Sequence, residues 1–77
     1  MRESYERILI RRRKNLRRLV REHVMTQHSL CLKLGWTSGS YLSQMIGPKP
    51  TRWIRESTAR HIEQKLRLPQ GWLDAVH

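Results

Sequence analysis

Between Thr26 and Gly47 the chain reads TQHSLCLKLGWTSGSYLSQMIG, two short apolar-periodic segments hinged at one glycine. No other feature constrains the fold as much. Leu30, Cys31 and Leu34 fall at i, i+1 and i+4, one face of a helix, with Thr26 as its N-cap and Gln27 in its first turn. Gly35 ends that helix, because glycine enters the left-handed conformation without a Cβ clash. A second helix restarts from a Thr37 or Ser38 cap and turns Leu42, Met45 and Ile46 inward before Gly47 and Pro48 stop it. The pair predicts a helix-turn-helix.

The outer face of the second helix then consists of Ser40, Tyr41, Ser43 and Gln44, with no charge on it. Elsewhere charge is dense: sixteen Lys and Arg against six Asp and Glu give a formal net charge of +10 over 77 residues. So strong a field favours a polyanionic partner. Base edges call for Gln, Ser and Tyr, whereas phosphates call for Lys and Arg, which makes an uncharged face in a basic chain informative. We therefore expect Ser40, Tyr41, Ser43 and Gln44 to read bases. Gln44 is the strongest single candidate, since its amide can pair bidentately with adenine. Gly39 allows close backbone approach at the helix N-terminus, which suits a phosphate.

The length predicts a single small domain over residues 1–77, with residues 26–47 its helix-turn-helix. No apolar run approaches the ~20 residues needed to span a bilayer, and the N-terminus lacks the apolar stretch of a signal peptide. Cys31 is the only cysteine and faces inward, so a reducing cytoplasm is the expected location. Three prolines and four glycines gather at segment ends, and no alternating run suggests a strand, so an all-α fold is predicted.

Residues 5–23 place Tyr5, Ile8, Leu9, Leu16, Leu19 and Val20 on one helical stripe that Arg12 interrupts. Arg7, Arg11, Lys14, Arg18 and Arg21 recur at intervals of three and four as a basic ridge on the other side. A solvated face is the ordinary fate of such a run. Here Glu3, Glu6 and Glu22 are too few to neutralise it, so the ridge is expected to meet phosphates, with Arg11, Lys14 and Arg18 as contacts. Residues 1–14 read as a basic N-terminal extension or arm, whose Tyr5, Ile8 and Leu9 would pack on the last helix, meet a second subunit, or order on a duplex. Trp36 is expected to fill the angle between the hinged helices. Pro48 and Pro50 make a loop that puts Lys49 and Arg52 beside the exit of the second helix, near phosphate. A fourth helix follows from about Arg55 to Leu66, with Ala59, Ile62 and Leu66 inward and His61 at the surface. A fifth short helix, QGWLDAV, offers Trp72, Leu73 and Val76 to the core or to a dimer.

QHSLCLKLG and SYLSQMIG, in this order and spacing, resemble the second and third helices of the lambda repressor and Cro-like helix-turn-helix family, and TARHIEQKLRLPQGWLD is similar to the ending of its phage-derived members. The resemblance spans about Asn15 to Asp74. It implies a compact five-helix domain with an extended basic first helix. The third helix would enter the major groove, often as a homodimer on a two-fold operator. It also implies that Gln27 braces on phosphate while Ser40, Tyr41 and Gln44 meet bases. Ser38 and Gly39, in the turn at the N-terminus of the third helix, are expected on phosphate from the helix dipole. Between Gly35 and Ser40 the turn has one residue more than the commonest pattern of the family.

Catalysis is hard to build from these residues. Acidic groups are few, none pairs with a histidine at metal spacing, and His28 with Cys31 supplies only two ligands. Neither an enzyme nor a cofactor is expected. The leading expectation is a phage or prophage type repressor acting at the nucleoid. An antitoxin binding a toxin partner, an architectural nucleic-acid protein working through the ridge, and an inhibitor of another complex are the alternatives.

Overall fold

The computed structural model describes residues 4–23, 25–37 and 39–77. Four α-helices, α1 (Tyr5–Glu22), α2 (Gln27–Leu34), α3 (Gly39–Ile46) and α4 (Glu56–Lys65), are followed by a 3-10 turn over Trp72–Asp74. No strand occurs among the described residues. The fifth helix expected from QGWLDAV is thus reduced to three residues.

Eight-residue helices such as α2 and α3 do not persist alone in water, so packing and end groups must hold them. Thr26 caps α2 by accepting the Ser29 amide at 3.0 Å, and Gly35 closes it with φ at 75°. Gly47 ends α3 for a different reason. Its backbone is not left-handed, but a Cβ there would run into the Ser43 carbonyl oxygen. Arg67 takes a left-handed φ of 58° just past α4, a position where glycine would be usual.

The core draws on every element. Leu30, Cys31 and Leu34 of α2, Leu42, Met45 and Ile46 of α3, and Ala59 and Ile62 of α4 are buried as the periodicity predicts. Leu16, Ile54 and Leu73 complete it with no solvent exposure. Leu66 and Trp36 pack against this cluster half-buried. Trp36 sits edge-on to Tyr41 at 4.9 Å and parallel to His61 at 6.1 Å. His61, expected at the surface, is half-buried, its Nε2 3.0 Å from the Leu34 carbonyl oxygen.

Arg12 does not break the apolar stripe of α1; it is 1% exposed, at the centre of that stripe. Burying a guanidinium is tolerable only when its donors are met. Its Nε and Nη2 grip the Asp74 carboxylate at 2.6 and 3.2 Å, Nη2 also reaches Glu56 at 2.7 Å, and Nη1 donates to the Ile54 carbonyl at 2.9 Å. Around it Asn15 donates to the carbonyls of Leu73 and Ala75, and Arg60 to Asp74. Buried Glu63 accepts the amides of Gly71 and Leu73. Polar groups of α1 and α4 therefore clamp the final turn. The first half of α1 is continuous helix: Ile8 and Leu9 are half-buried, whereas Tyr5 is 55% exposed with the Arg12 guanidinium 5.7 Å from its ring centre.

Arg12→Ala should lower stability by about 3–5 kcal/mol, because it strands partly buried carboxylate and carbonyl groups. Arg12→Lys should recover little, as an ammonium cannot reproduce the planar fork. Burial pushes the Asp74 carboxyl up, but the hydrogen bond from Arg12 and the charges of Arg12 and Arg60 outweigh it and hold the group below its ordinary value. Its contribution is therefore complete above the unfolded value of about 3.9 and is lost as pH falls through the lower folded value. Urea titrations from pH 6 to 2 should show an acid-side loss that Asp74→Asn reduces.

Candidate nucleic-acid interface

A helix ends with four carbonyls that its own amides cannot reach. In α3 each of them has a partner. The Ser43 carbonyl accepts from the Gly47 amide at 2.8 Å, and that of Gln44 accepts from the amides of Thr51 and Arg52 at 2.7 and 3.0 Å. The remaining two are met from α1: Arg13 Nε donates to Met45 at 2.7 Å and Arg17 Nε to Ile46 at 3.0 Å, with Arg17 Nη2 on Gly47 at 2.7 Å. Two cations thus sit at the negative end of the α3 dipole. Sequence reasoning passed over both, though each lies one step outside the apolar stripe of α1.

Arg13 also donates to the Arg52 carbonyl at 2.7 Å and lies 4.1 Å from the ring centre of the exposed Trp53. Burial, and then the charge of Arg17, lower its pKa, though a guanidinium remains a cation. The two prolines of the loop let the chain fold back within a few residues, so that Arg52 returns over the outer face of α3. There its Nε donates to Gln44 Oε1 at 2.6 Å, and its guanidinium carbon lies 5.5 Å from the Tyr41 ring centre.

This contact fixes the Gln44 amide. A guanidinium only donates, so the atom facing Arg52 must be oxygen and the Nε2 hydrogens point elsewhere. Bidentate pairing with adenine, expected for Gln44, would use the second lone pair of the oxygen that already accepts from Arg52. The Nε2 donors point away from Arg52 and suit N7 and O6 of guanine, N7 of adenine or O4 of thymine.

The expected base-reading residues divide into two kinds. Ser40 and Ser43 are exposed on α3, while Gln44 is half-buried and Tyr41, expected outward, is half-buried against Trp36 and the core. Gly39 opens the helix, and a Cβ there would meet nothing within 4 Å. The fold therefore makes no demand for glycine at this position. Gln27, half-buried, begins α2, and Lys49 is exposed just beyond α3. Ser38 lies outside the described residues.

Arg11, Lys14 and Arg18 are not brought to α3. Arg11 donates to the Asp74 carbonyl at 2.9 Å and Arg18 to that of His77 at 3.1 Å, both in the C-terminal segment. Arg18 also pairs with Glu22 at 2.6 Å, a hydrogen bond that leads the lowering of the Glu22 pKa. At 100° per residue the ridge is centred about 100° around α1 from Arg13 and Arg17. Cations flank α3, but they are not the ones the ridge suggested.

Among the described residues no cluster of three or more His, Cys, Asp or Glu could hold a metal ion. No helix there is long and apolar enough to cross a membrane. Compared with known proteins, the chain matches no family model, no curated protein and no solved structure.

Arg17→Ala removes two of the bonds at the end of α3 and should lower stability by about 1–2 kcal/mol, with amide exchange rising first in residues 43–47. Gly39→Ala should leave the urea midpoint unchanged or raise it, because alanine favours the helix and has room there. If α3 meets DNA at its first turn, the same substitution weakens binding, so a titration of both properties separates fold from contact.

Proposed function

We propose that the protein is a sequence-specific, double-stranded DNA-binding transcriptional regulator of the Cro-like repressor type, in which α3 enters the major groove. The observation that carries this reading is the uncharged outer face of α3, pinned at its exit by Arg13 and Arg17 and bordered by Lys49 and Arg52. Rigidity matters because a reading face that shifts by an ångström loses the geometry that tells one base from another. The apolar registers of α2 and α3 and the left-handed Gly35 between them support a lambda-repressor-like arrangement, in which a 3-10 turn stands where a fifth helix was expected. In this proposal the chain is a phage or prophage type regulator working as a homodimer in the cytoplasm, at the nucleoid, and it is not an enzyme.

Each surface has a distinct role here. Ser40, Ser43 and Gln44 face base edges, while Tyr41 steadies Arg52 rather than reading bases alone. Lys49, the backbone at Gly39 and the start of α2 at Gln27 contact phosphate. Phosphate contacts set affinity and its salt dependence; base contacts set preference.

Selection from a random duplex pool with the purified protein should enrich a motif with half-sites about one helical turn apart. An unenriched pool would overturn the proposal. Gln44→Ala should then flatten one column of that motif, at a loss of about 1–3 kcal/mol of discrimination, with the salt slope unchanged. Gln44→Glu, which replaces the outward donor by an acceptor, should shift that column toward cytosine. Lys49→Ala should weaken all duplexes alike and reduce the slope of log K against log salt by about 0.9.

A further inference from the structure

The excess positive charge lies on two faces around α1 that adjoin at Arg17. Arg13, Arg17, Lys49 and Arg52 gather at the exit of α3, whereas Arg7, Arg11, Lys14, Arg18 and Arg21 form the ridge on α1, turned about 100° away. The two differ in how far the fold consumes them. Arg13 and Arg17 are occupied in ending α3, while Arg7, Lys14 and Arg21 are exposed and make no side-chain hydrogen bond or ion pair with a described residue.

A groove of about 450 Å³ adjoins the ridge and runs between it and the C-terminal residues, lined by five cations from Arg11 to Arg21 together with Asn15, Val76 and His77. Among the described residues no Asp or Glu side chain lines it, and Arg18 pairs with Glu22. Arg11 and Arg18, bonded to carbonyls of the C-terminal segment, are held in place along its wall.

We propose that this ridge is a second DNA-binding surface, so that one chain holds two duplex segments, one on α3 and one on α1. The inference rests on the reading of α3 as a DNA-facing helix. From Arg7 to Arg21 the ridge runs about 21 Å, at 1.5 Å per residue. A duplex presents about twelve phosphates over that distance, at one charge per 1.7 Å of its axis. A straight, evenly spaced line of cations matches such a polyelectrolyte. An acidic protein partner would instead require an apolar centre, whereas the exposed apolar side chains Ile10 and Val76 lie on either side of a line that is itself charged throughout. The surface carries no uncharged hydrogen-bonding face comparable to that of α3, so its contact is indifferent to sequence.

The test uses an immobilised duplex carrying the motif selected through α3, a second fluorescent duplex of unrelated sequence, and the full chain at about 150 mM salt. Wild-type protein should bind the first duplex and capture the second. Lys14→Glu/Arg21→Glu, which changes two exposed side chains, should keep first-duplex affinity within about twofold and lose capture at least about tenfold. Lys14→Gln/Arg21→Gln should fall between the two, and an unchanged urea midpoint checks that each variant is folded. Capture that survives both variants would mean that paired chains make the bridge through α3, and it overturns the proposal. An equal loss of first-duplex binding would mean that one duplex spans both surfaces, which overturns it too. First-duplex binding without wild-type capture removes the bridge alone, whereas no binding to any duplex removes the DNA reading of α3 as well.

Discussion

The orientation of α1 depends on one buried guanidinium. Arg12 reaches the C-terminal turn through Asp74, the start of α4 through Glu56 and the preceding extended segment through the Ile54 carbonyl, using Nε and both terminal nitrogens. A hydrophobic contact at the same place would tolerate some rotation of the helix about its axis; a planar fork aimed at three partners does not. Once Arg12 fixes that rotation, Arg13 and Arg17 on the adjoining flank are directed at the end of α3, and Arg11 and Arg18 on the opposite flank at residues 74 and 77. The position of the candidate reading helix is therefore tied to an ion pair on the far side of α1.

The sequence made some of this readable and hid the rest. Leu30, Cys31 and Leu34, and again Leu42, Met45 and Ile46, announce their buried faces because helical burial is periodic and local. Gly35 and Thr26 announce the ends of α2 because caps act within a few residues. Arg12 was hidden because its partners lie 44 and 62 positions away, and a lone cation on an apolar stripe reads as an interruption. One clue was present: in a chain with six acidic residues, each carboxylate has many cations to choose from, so a buried one signals a structural pair. Asn15 and Glu63 were hidden for the same reason, as their acceptors and donors belong to a turn that local propensity does not define. Arg67 gave no warning, since nothing in its side chain favours the left-handed backbone it adopts.

Charge counting misleads when arginine serves the backbone. Arg12, Arg13, Arg17 and Arg60 donate to carbonyls or carboxylates of the domain itself, so a formal charge of +10 overstates how many cations a partner would meet fresh from solvent. The long-range field keeps its full size, because pairing with a carbonyl neutralises nothing. Attraction at a distance and contact at the surface thus have different effective charges in this protein. The ridge, with Arg7, Lys14 and Arg21 exposed, is where the two come closest to agreement.

The same distinction bears on how α3 would discriminate. A glutamine on an open helix face samples several rotamers, and each must be surrendered when it meets a base. Gln44 has lost that freedom in advance, because Arg52 holds its oxygen while the Tyr41 ring stands beside Arg52 and is itself braced by Trp36. The restraint runs inward from the surface to the core: Gln44 to Arg52, Arg52 to Tyr41, Tyr41 to Trp36, and Trp36 to His61 of α4. A donor fixed in this way gains little from a base that offers no acceptor. On the proposal that α3 reads bases, a restrained Gln44 would adapt less readily to a wrong base, and selectivity would follow from that restraint as much as from any hydrogen bond gained.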